Sequence, residues 1–139
     1  MRLRRIALMA VILGMAGTLV GIAPAFAAKD SVAEKMNVWD PDSDGTLDLA
    51  EANKAAAARF DSLESDNDGT LDTKEMSSTK VDKKVFKKAD PDNDGTLTKG
   101  EFLTIVKERF EAADPDHDGT VSVAELKTKA GKDLMRLLK

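Results

Sequence analysis

The chain has 139 residues, with 25 Asp and Glu against 21 Lys and Arg, a single histidine and no cysteine. The missing cysteines exclude disulfide staples, thiolate metal centres and a lipid-anchored N-terminus, and one histidine alone leaves no nucleophile and base pairing on which to build an enzyme. Basic residues are spread between the acidic stretches rather than gathered, which excludes a nucleic-acid patch.

In chain order, the first segment reads as a leader. Arg2, Arg4 and Arg5 precede an apolar run from Ile6 to Ala23, and APAFA follows with small residues at Ala25 and Ala27. Basic, apolar and A-x-A segments in that order predict a secretory signal peptide over 1–27, cut after Ala27, and hence a periplasmic or secreted protein with no membrane attachment after cleavage. All 25 acids lie beyond the cut together with 18 of the 21 Lys and Arg, so the mature chain 28–139 carries a net charge of −7. It is expected to be one small monomeric domain. Its aromatic core is limited to Trp39, Phe60, Phe86, Phe102 and Phe110, so a bound metal could contribute much of its stability.

Ser31 with Glu34 has the pattern of a capping box and predicts the start of a first helix, with Val32, Met36 and Trp39 as its apolar stripe. That helix leads into the first of four repeats: DPDSDGTLDLAE (40–51), ESDNDGTLDTKE (64–75), DPDNDGTLTKGE (90–101) and DPDHDGTVSVAE (114–125). Of the 25 acids, 18 lie inside these four stretches. So much like charge repels itself unless a multivalent cation quenches it.

The repeats place oxygen where a hard cation needs it: side chains at positions 1, 3 and 5, a backbone carbonyl at 7, a water-linked group at 9 and a bidentate Glu at 12. The predicted ligands of loop one are Asp40, Asp42, Asp44, the Thr46 carbonyl, Asp48 and Glu51. Loop two offers Glu64, Asp66, Asp68, Thr70, Asp72 and Glu75. Loop three offers Asp90, Asp92, Asp94, Thr96, Thr98 and Glu101, and loop four Asp114, Asp116, Asp118, Thr120, Ser122 and Glu125. Gly45, Gly69, Gly95 and Gly119 sit at position 6, where the turn calls for a conformation glycine adopts without penalty. Leu47, Leu71, Leu97 and Val121 at position 8 predict short strands that pair loops back to back. Acidic turns at helix starts are the plain alternative, but they do not explain a Glu recurring at position 12.

The mature chain thus resembles the EF-hand superfamily along nearly its whole length. Within it the chain is most similar to the lanmodulin-like exported proteins with four such loops, through Pro41, Pro91 and Pro115 at loop position 2, the DGTLD of loops one and two, and the short spacers. The resemblance implies an all-α, compact bundle of helices around four metal loops, binding up to four calcium ions or, lanmodulin-like, lanthanide(III) ions.

The spacers have their own physical reading. Only twelve residues separate Glu51 from Glu64, too few for an exit helix, a turn and a new entry helix. One helix must serve both loops, and Leu49, Ala52, Ala56, Phe60 and Leu63 give it one apolar stripe. Phe102, Ile105, Val106, Phe110 and Ala113 do the same between loops three and four. Each helix is about 20 Å long and puts its two loops at opposite ends. The middle spacer carries SSTKVD (77–82), where Ser or Thr can end one short helix and cap the next, and it is expected to bend. A bend pairs loop two with loop three, through Leu71 and Leu97, and loop one with loop four; a straight middle helix would instead pair loop one with three and two with four. After Glu125 a helix is expected to run through Leu126 toward Leu134, Leu137 and Leu138, with Gly131 as its break.

The loops are not equivalent. Pro at position 2 biases the preceding Asp40, Asp90 and Asp114 away from helical geometry, so the entering helix stops where the cage begins. Loop two has Glu64 and Ser65 instead; the extra methylene is expected to push the carboxylate outward and the backbone loses its proline constraint, so this site is expected to be the weakest or to need a shifted geometry. Asp48 and Asp72 give loops one and two five acids each, against four where Thr98 and Ser122 stand at position 9, and more carboxylates favour a trivalent ion. His117, at position 4, is expected in solvent, as is the lysine run Lys83, Lys84, Lys87 and Lys88. Two functions follow as expectations: a metal buffer, sensor or carrier whose folding is coupled to ligation, or a calmodulin-like calcium sensor that opens a groove for a partner protein. Only Met36, Met76 and Met135 remain after the leader, which is poor in methionine for such a groove.

Overall fold

The computed structural model describes residues 31–139, and Ser31 only through its backbone; the leader expected over 1–27 and the Ser31 side chain of the expected capping box therefore lie outside the described residues. Helix α1 covers Ser31–Trp39, strand β1 Thr46–Asp48, helix α2 Leu49–Leu63, strand β2 Thr70–Asp72, helix α3 Lys83–Ala89, strand β3 Thr96–Thr98, helix α4 Lys99–Ala113, strand β4 Thr120–Ser122, helix α5 Val123–Leu126 and helix α6 Lys129–Leu138. Among the described residues no helix is long and apolar enough to cross a membrane.

Single helices do bridge the loops. Ala52, Ala56 and Phe60 of α2 are buried, with Leu49 and Leu63 packed at the margin, and Phe102, Ile105, Val106, Phe110 and Ala113 of α4 are buried opposite them. Small residues on α2 admit the bulkier side chains of α4. The Phe60 and Phe102 rings meet edge-on, their centroids 5.8 Å apart and planes at 62°, the arrangement their quadrupoles prefer. Lys99 lies 5.2 Å above the Phe60 ring and pairs with Asp61 at 2.6 Å, closing the top of this contact.

The middle spacer bends as its composition requires. A 3-10 turn at Glu75–Thr79 stops at Lys80, which is left-handed (φ 55°), and Asp82 then caps α3 by accepting from the amides of Lys84 (2.9 Å) and Val85 (3.0 Å). The first element after loop two is thus a 3-10 turn rather than a short α-helix. The reversal lets α4 run antiparallel to α2. Strand β2 pairs with β3 with Leu71 opposite Leu97, and β1 pairs with β4 with Leu47 opposite Val121. All four position-8 side chains are fully buried. The ladders sit at the two ends of the α2 and α4 pair, and the core runs between them.

The C-terminus differs from its sequence reading. The break falls at Lys127–Thr128, not at Gly131: Thr128 caps α6, its hydroxyl accepting from the Gly131 amide at 3.1 Å and donating to the Glu125 carbonyl at 2.7 Å. A threonine that satisfies both helix ends outcompetes the glycine as the stopping point. Gly131 is needed instead for contact, because a Cβ there would lie 2.2 Å from the Glu125 carbonyl oxygen and 2.4 Å from the Leu126 Cα. Helix α6 then crosses α4 and α2 with Leu134, Met135, Leu137 and Leu138 buried, and Arg109 of α4 holds Asp133 at 3.4 Å. Val32, Met36 and Trp39 of α1 complete the same core.

Candidate metal centre

The four loops share most of their local contacts. The entering helix ends at position 1: Asp90 (ψ 83°) and Asp114 (ψ 80°) leave helical geometry while their amides still bond the phenylalanine carbonyl four residues back. Their carboxylates, with that of Asp40, are buried and turn toward the loop, accepting from the position-6 amides of Gly95 (3.1 Å), Gly119 (3.1 Å) and Gly45 (2.9 Å). Those glycines have φ between 86° and 88°. The residue at position 4 is left-handed too, at Ser43, Asn67, Asn93 and His117, with φ between 54° and 61°. Asn and His adopt that conformation more readily than most side chains, so position 4 carries its own signal for the loop in the sequence. His117 is exposed, as expected.

At position 5 one carboxylate oxygen is engaged by position 7. Asp44, Asp68, Asp94 and Asp118 each accept from both the amide and the hydroxyl of Thr46, Thr70, Thr96 and Thr120, at 2.7 to 2.8 Å. Position 9 has a role that ligand spacing alone did not reveal. Asp48, Thr98 and Ser122 are the N-caps of the exiting helices, and Glu51, Glu101 and Glu125 reach back to their amides in complete capping boxes. Sequence reasoning had the signal, since positions 9 and 12 are spaced as a capping box. In each of these three glutamates one oxygen serves the cap at 2.7 to 2.9 Å, and the other has no hydrogen bond among the described residues.

The loops thereby gather carboxylates that chemistry would otherwise keep apart. Asp40, Asp42 and Glu51 have ligand oxygens within 4.8 Å of one another, as do Glu64, Asp66 and Asp68, Asp90, Asp92 and Asp94, and Asp114, Asp116 and Asp118. Strain from this crowding is visible in their acidity. Asp42 and Asp92 are pushed above the ordinary aspartate range, first by the adjoining carboxyls of Asp40 and Asp90, and also by repulsion from Asp44 and Asp94. Burial, then the Asp118 charge, does the same to Asp116. At Asp40 and Asp114 burial pushes upward but is outweighed by the hydrogen bonds from Gly45 and Gly119 and their neighbours, so both stay below that range.

The donor chemistry fits a hard cation. Asp90 is only 4% exposed and one of its carboxylate oxygens is buried with no hydrogen-bond partner among the described residues, a costly state for a charged oxygen unless a cation faces it. All-oxygen sets of this kind suit a hard cation such as calcium rather than softer metals.

Loop two departs from its sequence reading. Glu64 is half-buried where Asp40, Asp90 and Asp114 are buried, yet its carboxylate accepts from the Gly69 amide at 2.6 Å, the contact Asp makes in the other loops, and it clusters with Asp66 and Asp68. The real difference lies at Ser65, whose amide (2.7 Å) and hydroxyl (2.8 Å) both donate to Glu75. Those bonds hold the Glu75 carboxyl below the usual range. Asp72 accepts from the amides of Lys74 (2.7 Å) and Glu75 (2.9 Å).

Comparison with protein families agrees with this geometry. A model of the EF hand domain matches residues 83–109 and a second EF hand model matches residues 105–128, spanning α3, loop three, α4 and loop four. No curated protein matches the chain. The two matches, taken with four like-built loops paired two by two, support the EF-hand superfamily for this chain.

Proposed function

We propose that the protein is an exported metal-binding protein that takes up calcium, or a lanthanide in the manner of the lanmodulin-like proteins, and that it acts as a buffer or carrier whose fold tightens on ligation. One observation carries this reading: four clusters of carboxylate oxygens, each within 4.8 Å, stand at the two ends of a shared helix pair. Positions 1, 3, 5 and 12 would hold the ion with their carboxylates, and position 7 with its carbonyl. Bound, the cation supplies the positive charge that lets these groups approach. The leader and A-x-A site support export to the periplasm or medium. Met36, Met76 and Met135 are all buried in the core, which favours a buffer or carrier over a sensor with a methionine-lined groove.

Trp39 tests the proposal, since it is buried immediately before Asp40. Titrating the leaderless protein with Ca²⁺ and La³⁺ in chelator buffers should change its fluorescence and helical circular dichroism together. A fold that appears at far lower La³⁺ than Ca²⁺ identifies a lanthanide protein, and equal midpoints a calcium buffer. Equilibrium dialysis that retains neither ion overturns the reading.

Acid should release the metal. Protons compete with the cation for the raised carboxyls of Asp42, Asp92 and Asp116, so calcium affinity is expected to fall as the pH drops toward the aspartate range, starting above the ordinary value of 3.8. The sign for the fold is opposite: a raised carboxyl favours the metal-free fold when protonated and loses that contribution as pH rises through its folded value. Calcium titrations at neutral and stepwise lower pH check the first statement, and metal-free melting over the same steps checks the second.

A further inference from the structure

Loop two alone lacks the proline at position 2, and the structure shows what takes its place. Pro41, Pro91 and Pro115 have no amide hydrogen to give, so in loops one, three and four the position-12 glutamate keeps one oxygen without a hydrogen bond among the described residues. In loop two both oxygens of Glu75 are taken. One accepts from the Asp72 amide at 3.0 Å and the other accepts both donors of Ser65, at 2.7 and 2.8 Å.

We propose that Ser65 is a latch that competes with the cation for Glu75, and that it makes loop two the last of the four loops to fill. The inference rests on the reading of the loops as cation sites and adds an order to them. Bidentate coordination by the glutamate at position 12 requires both of its oxygens to face the ion. In three loops one oxygen is already free of protein donors; in the second loop two hydrogen bonds to a charged group must first be exchanged for water. Each such bond weakens cation binding about tenfold. Three loops then hold the ion at low concentration, while loop two responds at a higher one, so the protein carries a threshold site beside its tight ones. Position 2 sets that threshold, and Glu64, whose carboxylate already reaches Gly69 at 2.6 Å, does not.

The four position-6 glycines separate the sites for measurement, because each donates its amide to the position-1 carboxylate of its own loop, at 2.9, 2.6, 3.1 and 3.1 Å. Their amide signals followed by NMR during a calcium titration of the leaderless protein should show Gly45, Gly95 and Gly119 shifting first, and Gly69 shifting at about a hundredfold higher calcium. In Ser65→Pro both donors vanish and Gly69 should join the other three. The backbone accepts the change, because Glu64 is extended (φ −63°, ψ 113°), as a residue before proline prefers. Ser65→Ala, which keeps the amide and loses the hydroxyl, should place Gly69 between. The proposal is overturned if Gly69 moves with the others in the native chain, or if its midpoint stays put in Ser65→Pro; should that variant not fold, an unmoved Gly69 in Ser65→Ala overturns it equally. A Gly69 midpoint lowered by Glu64→Asp and not by Ser65→Pro assigns the weakness to side-chain length instead. If none of the four signals responds to calcium or lanthanum, it is the cation-site reading that falls.

Discussion

Gly131→Ala is expected to destabilise the protein by about 3 kcal/mol or more and to release α6 from the core. Helix propensity alone argues the reverse, because Ala in a helix interior is favoured over Gly by about 1 kcal/mol. The clash decides the sign. The added Cβ would sit 2.2 Å from the Glu125 carbonyl oxygen, 2.4 Å from the Leu126 Cα and 2.7 Å from the Leu126 carbonyl carbon, and all three are backbone atoms that cannot swing aside. Relief requires moving α6 away from α5, which draws Leu134, Leu137 and Leu138 out of the core they help close. Gly100→Ala supplies the control, since a Cβ there meets only the Thr98 hydroxyl at 4.0 Å and should stabilise by up to about 1 kcal/mol. Denaturant unfolding of the two variants in excess calcium should move their midpoints in opposite directions. Midpoints that move together would refute the packing assigned to α6.

Glu101→Gln is expected to weaken ion binding at loop three by about a hundredfold or more, beyond the 10- to 100-fold typical of losing an outer-shell partner of a metal site. The substitution removes a charge and leaves the helix start intact. Glu101 accepts from the Thr98 amide at 2.7 Å and hydroxyl at 2.8 Å, and the glutamine carbonyl can accept the same bonds. The loss should therefore appear in calcorimetric or NMR titration of loop three, with metal-free helix content unchanged. A variant that keeps its affinity would show that Glu101 serves the cap alone.

Much of this arrangement was legible because it follows from distances along the chain. Twelve residues between Glu51 and Glu64 cannot hold two helices, so one helix had to carry both loops. Serine, threonine and aspartate around Lys80 required a bend, and the bend left Leu71 with only Leu97 to face. What stayed hidden depends on contacts between residues far apart or on competition between nearby groups. Gly131 looks like a helix breaker in one dimension and becomes a contact point only when α5 folds against it, while Thr128, three residues earlier, supplies the actual cap. Glu64 was expected to matter through its length, yet a flexible side chain absorbs one methylene. The hydrogen that Ser65 carries and proline lacks has no periodicity to betray it, and its target, Glu75, is ten residues away.

The crossed pairing of the strands has a last consequence for how the molecule can be divided. Residues up to Lys80 contribute β1 and β2, which pair with β4 and β3 and not with each other. Neither half of the polypeptide encloses a complete ladder, so the molecule is not a tandem of two lobes joined by a tether. Its smallest cooperative unit is the entire described chain, and any excised half presents two unmatched edges in search of their complement.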